Sequence, residues 1–136
     1  MVTLTPARSR AALFALALGG FGIGTTEFAT MGLLPEIADD LGVSIPVAGH
    51  AITAYALGVV VGAPTLAALG ARLDRRRLLL LLMVAFTVGN VLSAFAPSMG
   101  WLVLARFLAG LPHGAYFGVG AVMGTAVVGP ERPFSP

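Results

Sequence analysis

The chain predicts an all-α fold, a polytopic membrane protein of four transmembrane helices, and three observations carry that prediction. Hydrophobic residues fill 57% of the 136 positions and charged ones only 10%, with a mean hydropathy of +0.94, which leaves too little polar surface to enclose a water-soluble core. The apolar residues gather in four runs, each near the roughly 20 residues that cross about 30 Å of hydrocarbon. Between the runs lie turn residues and nearly all of the charge.

The first run, Ala11 to Leu34, follows Arg8 and Arg10. A basic pair ahead of apolar residues also opens a secretory signal peptide. This run is longer than a signal core, contains Glu27 and lacks a clear small-residue cleavage site, so an uncleaved helix is expected. Pro35 closes it, and the segment Pro35 to Pro46 carries Glu36, Asp39 and Asp40 with no basic residue. The second run is Val47 to Leu69, and the connector Gly70 to Arg77 holds Arg72, Arg75, Arg76 and Arg77. The third, Leu78 to Ala96, turns through Pro97-Ser98-Met99-Gly100 into the fourth, Trp101 to about Val128, which leaves Gly129 to Pro136 with Arg132. Seven of the eight arginines thus fall on one side, and the positive-inside rule places both termini in the cytoplasm, with the chain multi-pass in the inner or plasma membrane. Trp101 reads as an anchor at the outer interface.

Several function classes are excluded or disfavoured. A pI of 9.9 would suggest nucleic acid in a soluble protein, but these arginines sit near span ends, so the partner they imply is membrane lipid and no nucleic acid is expected. Cysteine is absent, so neither a disulfide nor a thiolate metal site is available. His50 and His113 are isolated and lack metal-ligand spacing, so no metal and no cofactor are expected. There is no phosphate-cradling glycine loop and no nucleophile, base and acid arrangement, so no catalytic residues and no enzyme are expected.

Glycine recurs at small-xxx-small spacing in Gly20 and Gly24, Gly58 and Gly62, Gly110, Gly114 and Gly118, and Gly120 and Gly124, which predicts close helix approach in lipid. Pro64 and Pro112 fall inside spans, where neighbours or water must satisfy the freed carbonyls.

The chemistry points to two buried charges. A carboxylate in the hydrocarbon zone costs roughly 2.5 to 3.5 kcal/mol on insertion scales, so Glu27 in the first span is a functional candidate by default. Glu27 lies about seven residues from the outer end of its span and Arg106 about five from the outer end of the fourth, so both sit on the order of 10 Å below the outer surface and can face each other. Arginine keeps its charge, whereas a desolvated carboxylate can take up a proton. That asymmetry suits a proton switch made of Glu27 and Arg106; a static pair, or an arginine snorkelling to the interface, are the alternatives. Thr25, Thr26, Met31, Tyr55, Asn90, His113 and Tyr116 are candidate cavity-lining residues, and Phe21, Phe28, Met31, Phe117 and Met123 a candidate soft apolar wall; helix packing or lipid contact is the alternative for each.

The stretch Glu27-Phe28-Ala29-Thr30-Met31-Gly32-Leu33-Leu34-Pro35-Glu36-Ile37-Ala38, then Leu41-Gly42-Val43-Ser44 and Ala54-Tyr55-Ala56-Leu57-Gly58, resembles the start of major facilitator superfamily transporters. The similarity is strongest to the drug:proton antiporter branch with the sugar-efflux (arabinose-type) and chloramphenicol-efflux permeases. In the fourth span, Arg106-Phe107-Leu108-Ala109-Gly110 and Pro112-His113-Gly114-Ala115-Tyr116-Phe117-Gly118 resemble the family's Arg-x-x-x-Gly motif. The similarity runs from about Leu13 to Arg132.

The family's signature between helices two and three is Gly-x-x-x-Asp-Arg/Lys-x-Gly-Arg/Lys-Arg/Lys. One register puts Arg72, Arg75 and Arg76 on basic positions, with Ala67, Ala71 and Asp74 replacing the first Gly, the Asp and the second Gly. A register shifted by three matches Gly70, Asp74 and Arg75 instead. The connector is either a degenerate form of the charge latch that the family builds there or a plain positive-inside anchor.

The family fold has twelve helices in two halves with the substrate site between them, so the resemblance makes residues 1–136 a partial N-terminal transmembrane domain, the first part of that fold. It implies proton-coupled efflux of drugs or sugars by the full-length form, with protons and a small-molecule substrate as partners and Glu27 and Arg106 as coupling residues. This chain is then expected to be a truncated fragment lacking its C-terminal half. A complete four-helix multidrug transporter acting as a self-associated dimer, and a non-transporting membrane remnant, are the alternatives.

Overall fold

A computed structural model describes residues 5–128, and they fold into helices and short connections, with no strand among the described residues. The elements are α1 (Pro6–Gly32), α2 (Leu34–Asp40), α3 (Ile45–Ala48), α4 (His50–Leu69), a 3-10 turn (Gly70–Arg72), α5 (Arg75–Ala94) and α6 (Met99–Val128). Four stretches are long and apolar enough to cross a membrane: Pro6–Gly32, Ile45–Arg72, Arg75–Ala94 and Met99–Val127. The tail Gly129 to Pro136, with the Arg132 of the charge argument, lies outside the described residues.

Helix α1 starts earlier than the apolar run because Pro6 occupies its first position, where a missing N–H costs no hydrogen bond. Arg8 and Arg10 thereby lie in the first two turns of the helix rather than ahead of it. Pro35 does not end the helical path, as the sequence suggested. It has no N–H to continue the α1 ladder, so the chain breaks at Leu33 (φ −95°, ψ 10°) and restarts as α2, with Pro35 in its first turn.

The end of α2 is fixed by Gly42, whose φ of +63° lies in the left-handed region that favours glycine. The Gly42 N–H donates to Asp39 O (3.1 Å) and the Val43 N–H to Ala38 O (2.9 Å), the paired bonds of a Schellman stop. Ser44 then caps α3, its Oγ accepting from the Val47 N–H at 3.4 Å, and α3 runs through Gly49 into α4 as one span. At the turn between α5 and α6, Ser98 Oγ accepts from the Trp101 N–H (3.3 Å), and the Trp101 indole donates to Leu92 O (2.9 Å), tying the start of α6 to the end of α5.

Helix α6 is the hub. It packs most extensively on α4, next on α5 and least on α1. The α4–α6 seam is built of glycine: a methyl at Gly58 would meet the Gly110 Cα at 3.1 Å and one at Gly114 the Ala63 Cβ at 2.8 Å, so these backbones touch directly. The other small-xxx-small pairs behave differently, since Gly24, Gly118 and Gly124 have no foreign atom within 4 Å of where a Cβ would stand. Spacing alone does not say which face of a helix meets a neighbour. Pro112 is fully buried within α6, and the core includes Ile23, Tyr55, Leu82, Phe86, Ala109 and Tyr116. Ile23 is the one buried residue of α1, whose Phe14, Phe21 and Phe28 stand 70%, 73% and 70% exposed at heptad spacing along one face.

Candidate functional site

The site is assembled by the approach of α5 to α6. A methyl at Gly89 would stand 2.8 Å from both the Cα and Cβ of Ala109, so the two backbones are nearly in contact at that level. The next residue on α5 is Asn90, and one turn before Ala109 on α6 is Arg106. The Arg106 Nη1 donates to Asn90 Oδ1 at 3.1 Å, while Asn90 Nδ2 donates to Phe86 O on its own helix at 2.8 Å. From the third side, the Arg106 guanidinium lies 4.2 Å from the centroid of the Tyr55 ring on α4, an arrangement in which the ring face attracts the cation.

Arg106 is 3% exposed and its Nε has no hydrogen-bond partner. A buried cation held only by an amide oxygen and an aromatic face is poorly compensated. Its surroundings continue through Tyr55, whose hydroxyl is hydrogen-bonded to His113 Nδ1 at 2.9 Å, and the His113 ring lies 5.2 Å from that of Phe117. Tyr116 points elsewhere: its hydroxyl donates to Leu16 O on α1 at 3.2 Å.

Glu27 is half-buried on α1. It stands within through-space electrostatic range of Tyr55, Arg106 and His113, while the side-chain hydrogen bond of Arg106 goes to Asn90. The reason is geometric: α5 closes on α6 at Gly89, whereas α1 meets α6 only lightly.

A cavity of about 450 Å³ opens between α1, α2, α5 and the N-terminal part of α6, lined among others by Thr25, Thr26, Thr30, Asn90, Ser93 and Arg106. Each of its threonine hydroxyls donates to the carbonyl one turn back, Thr25 to Phe21 O, Thr26 to Gly22 O and Thr30 to Thr26 O, which leaves oxygen lone pairs for the cavity. Of the expected lining residues, Thr25, Thr26 and Asn90 are therefore on this cavity. Tyr55 and His113 lie behind Arg106, Tyr116 braces α1, and Met31 is 49% exposed and off the cavity wall. Phe21 and Phe28 line a second, shallower depression on α1 together with Thr25, and Phe117 is 47% exposed, so the proposed apolar wall is not one surface.

Comparison with known proteins decides the family. The model of the Major Facilitator Superfamily matches residues 16–135. The chain belongs to that superfamily. Among relatives, it is 57% identical over 116 residues to the inner membrane transport protein YdhP of Escherichia coli (strain K12), an alignment covering 85% of this chain and 30% of that protein. It is 37% identical to a chloramphenicol resistance protein of Streptomyces lividans, over 88% of this chain and 31% of the relative. To a "Probable sugar efflux transporter" of Helicobacter pylori it is 35% identical, over 80% and 28%. The chain thus spans about 30% of the length of the curated relatives it matches. No solved structure matches it.

Within this major facilitator segment, the connector between the second and third spans is fully solvent-facing: Arg72, Asp74, Arg75, Arg76 and Arg77 are all exposed. Asp74 is the residue before the start of α5, and its side chain makes no capping hydrogen bond there. Among the described residues no group of three or more His, Asp or Glu could hold a metal ion.

Sequence reasoning missed the partnership of Asn90 with Arg106, and missed Thr30 and Ser93 on the cavity wall. A signal for the first existed. Asn90 lies about six residues before the turn that ends its span and Arg106 about five after the start of the next, so a two-helix hairpin sets the only amide of α5 at the depth of the buried cation.

Proposed function

We propose that this segment is the coupling portion of a proton-driven efflux permease, with Glu27 as the proton and cation site and Arg106 as the residue that couples its charge to the transported substrate. The observation that carries the reading is the buried, undercompensated Arg106 at the base of a hydroxyl-lined cavity, with the one carboxylate of the spans half-buried within its electrostatic range. In a low-dielectric setting a fixed cation and a protonatable carboxylate respond to each other's charge strongly, and only the carboxylate can exchange a proton at ordinary pH. The relatives named for chloramphenicol resistance and sugar efflux support export of a drug or sugar, and the distribution of Arg8, Arg10 and the connector arginines supports an inner or plasma membrane location with both termini cytoplasmic.

The test is pH-gradient-driven export from membrane vesicles that carry a full-length permease containing this segment, compared with its Glu27→Gln variant at equal insertion. The reading expects export that is lost in the variant. Export that persists unchanged with glutamine at position 27 would remove Glu27 from the mechanism.

A further inference from the structure

We infer that Asn90 is a positioning residue for Arg106: it anchors the guanidinium to α5 and thereby holds it away from Glu27 in this conformation. Three observations converge. An asparagine is a poor helix former and a costly side chain in a membrane span, so its place inside α5, four residues before the end at Ala94, calls for a specific partner. Its amide orientation is fixed, because Nδ2 is committed to Phe86 O at 2.8 Å, which turns Oδ1, the acceptor, toward Arg106 Nη1 at 3.1 Å. The backbone contact of Gly89 with Ala109 sets the helix separation at that level, so the amide reaches the guanidinium without rearrangement of either helix.

The consequence is a choice of partners. Tyr55 offers the guanidinium a face and Asn90 offers it one acceptor, while Nε stays unbonded. That holds the cation in a defined place and leaves part of its hydrogen-bonding capacity open. The charged and titratable groups around it are Glu27 from α1 and Tyr55 from α4, with His113 beyond Tyr55 on α6 itself and Asp40 of α2 on the wall of the same cavity. Releasing the Asn90 bond frees the guanidinium to move among these groups, and Glu27 is the carboxylate whose charge acts on it through space. Asn90 would then set when the two charges meet. This coupling consequence rests on the proposed roles of Glu27 and Arg106, whereas the anchoring itself does not.

The test reads the Arg106 side chain directly. In the 136-residue chain, labelled with ¹⁵N and reconstituted in bilayers, a buried and bonded guanidinium exchanges its protons slowly, and Arg106→Lys identifies its signals. Asn90→Leu removes the acceptor at similar volume, and Asn90→Asp keeps an acceptor oxygen. The inference expects exchange to quicken by about tenfold or more in Asn90→Leu, the order expected for losing one hydrogen bond to a charged group, and to return to slow in Asn90→Asp. Slow exchange that persists in Asn90→Leu, or fast exchange in both variants with the helices intact, would overturn the anchoring. If Asn90→Leu fails to insert, Asn90→Ala provides the same reading. A Glu27→Gln variant that still exports normally would defeat the coupling role while leaving the exchange result to stand by itself.

Discussion

Helices α4 and α1 meet the same partner, α6, in opposite ways. The α4 seam is backbone on backbone, with Gly58 and Gly62 lying on Phe107, Gly110 and Leu111 and with Gly110 and Gly114 returning the contact onto Tyr55, Val59 and Ala63. The α1 seam is side chain on backbone: the Tyr116 hydroxyl bonds Leu16 O, and the Phe117 ring lies over Gly20. Close backbone approach gains dispersion over many atom pairs and admits no larger side chain, whereas a few side-chain contacts can be exchanged at small cost. The two halves of the proposed switch divide along the same line. Arg106 is built into the tightly packed α4, α5 and α6 framework, and Glu27 rides on the helix that this framework holds least.

Substitutions can break that contrast. The largest effect is expected at Gly62, where any side chain would overlap the Leu111 backbone: Gly62→Leu should cost upward of about 3 kcal/mol and separate α4 from α6. Loss of the folded population in a detergent or steric-trapping unfolding assay measures it, and a variant as stable as the parent would show that the seam is not close-packed. A smaller effect is expected at the α1 seam. Tyr116→Phe removes one interhelical hydrogen bond, worth on the order of 0.6 kcal/mol and at most about 1.7 in a membrane. Accelerated hydrogen exchange or cross-link loss confined to α1 would fit, while loosening of α4 as well would erase the distinction. Smallest of all is Gly24→Ala. No atom outside its own helix stands within 4 Å of the new methyl, so stability should stay within about 0.5 kcal/mol or rise slightly through helix propensity. A loss comparable to that of Gly62→Leu would mean that Gly24 has a close neighbour.

How much of this was legible beforehand follows from the kind of information each feature needs. Four spans and their turns could be read because membrane thickness fixes length and the lack of water in the core fixes helix. The start at Pro6 and the restart at Leu34 were missed because a proline is both a helix breaker and a good first-turn residue, and only the backbone decides between the two. Glu27 and Arg106 stood out as charges in apolar runs, a signal that burial cost makes hard to miss. Their relation was not legible. Depth along the normal was available from the sequence, but rotation of one helix about its axis relative to another was not, and rotation gave Arg106 to Asn90 rather than to Glu27. The glycine pairs failed in the same way, since four small-xxx-small patterns have equal standing in sequence and only those at Gly58 and Gly110 point at a neighbour's backbone.

The measurement that bears most directly on the division of the switch is the carboxyl titration of Glu27, read by carbon-13 NMR of the chain in bilayers, in the parent and in Arg106→Ala. If the framework-held cation acts on the carboxylate of α1, the two curves separate. Superimposable curves, with Asn90 and Tyr55 still in place around an empty position, would contradict the account by showing that Glu27 does not sense Arg106.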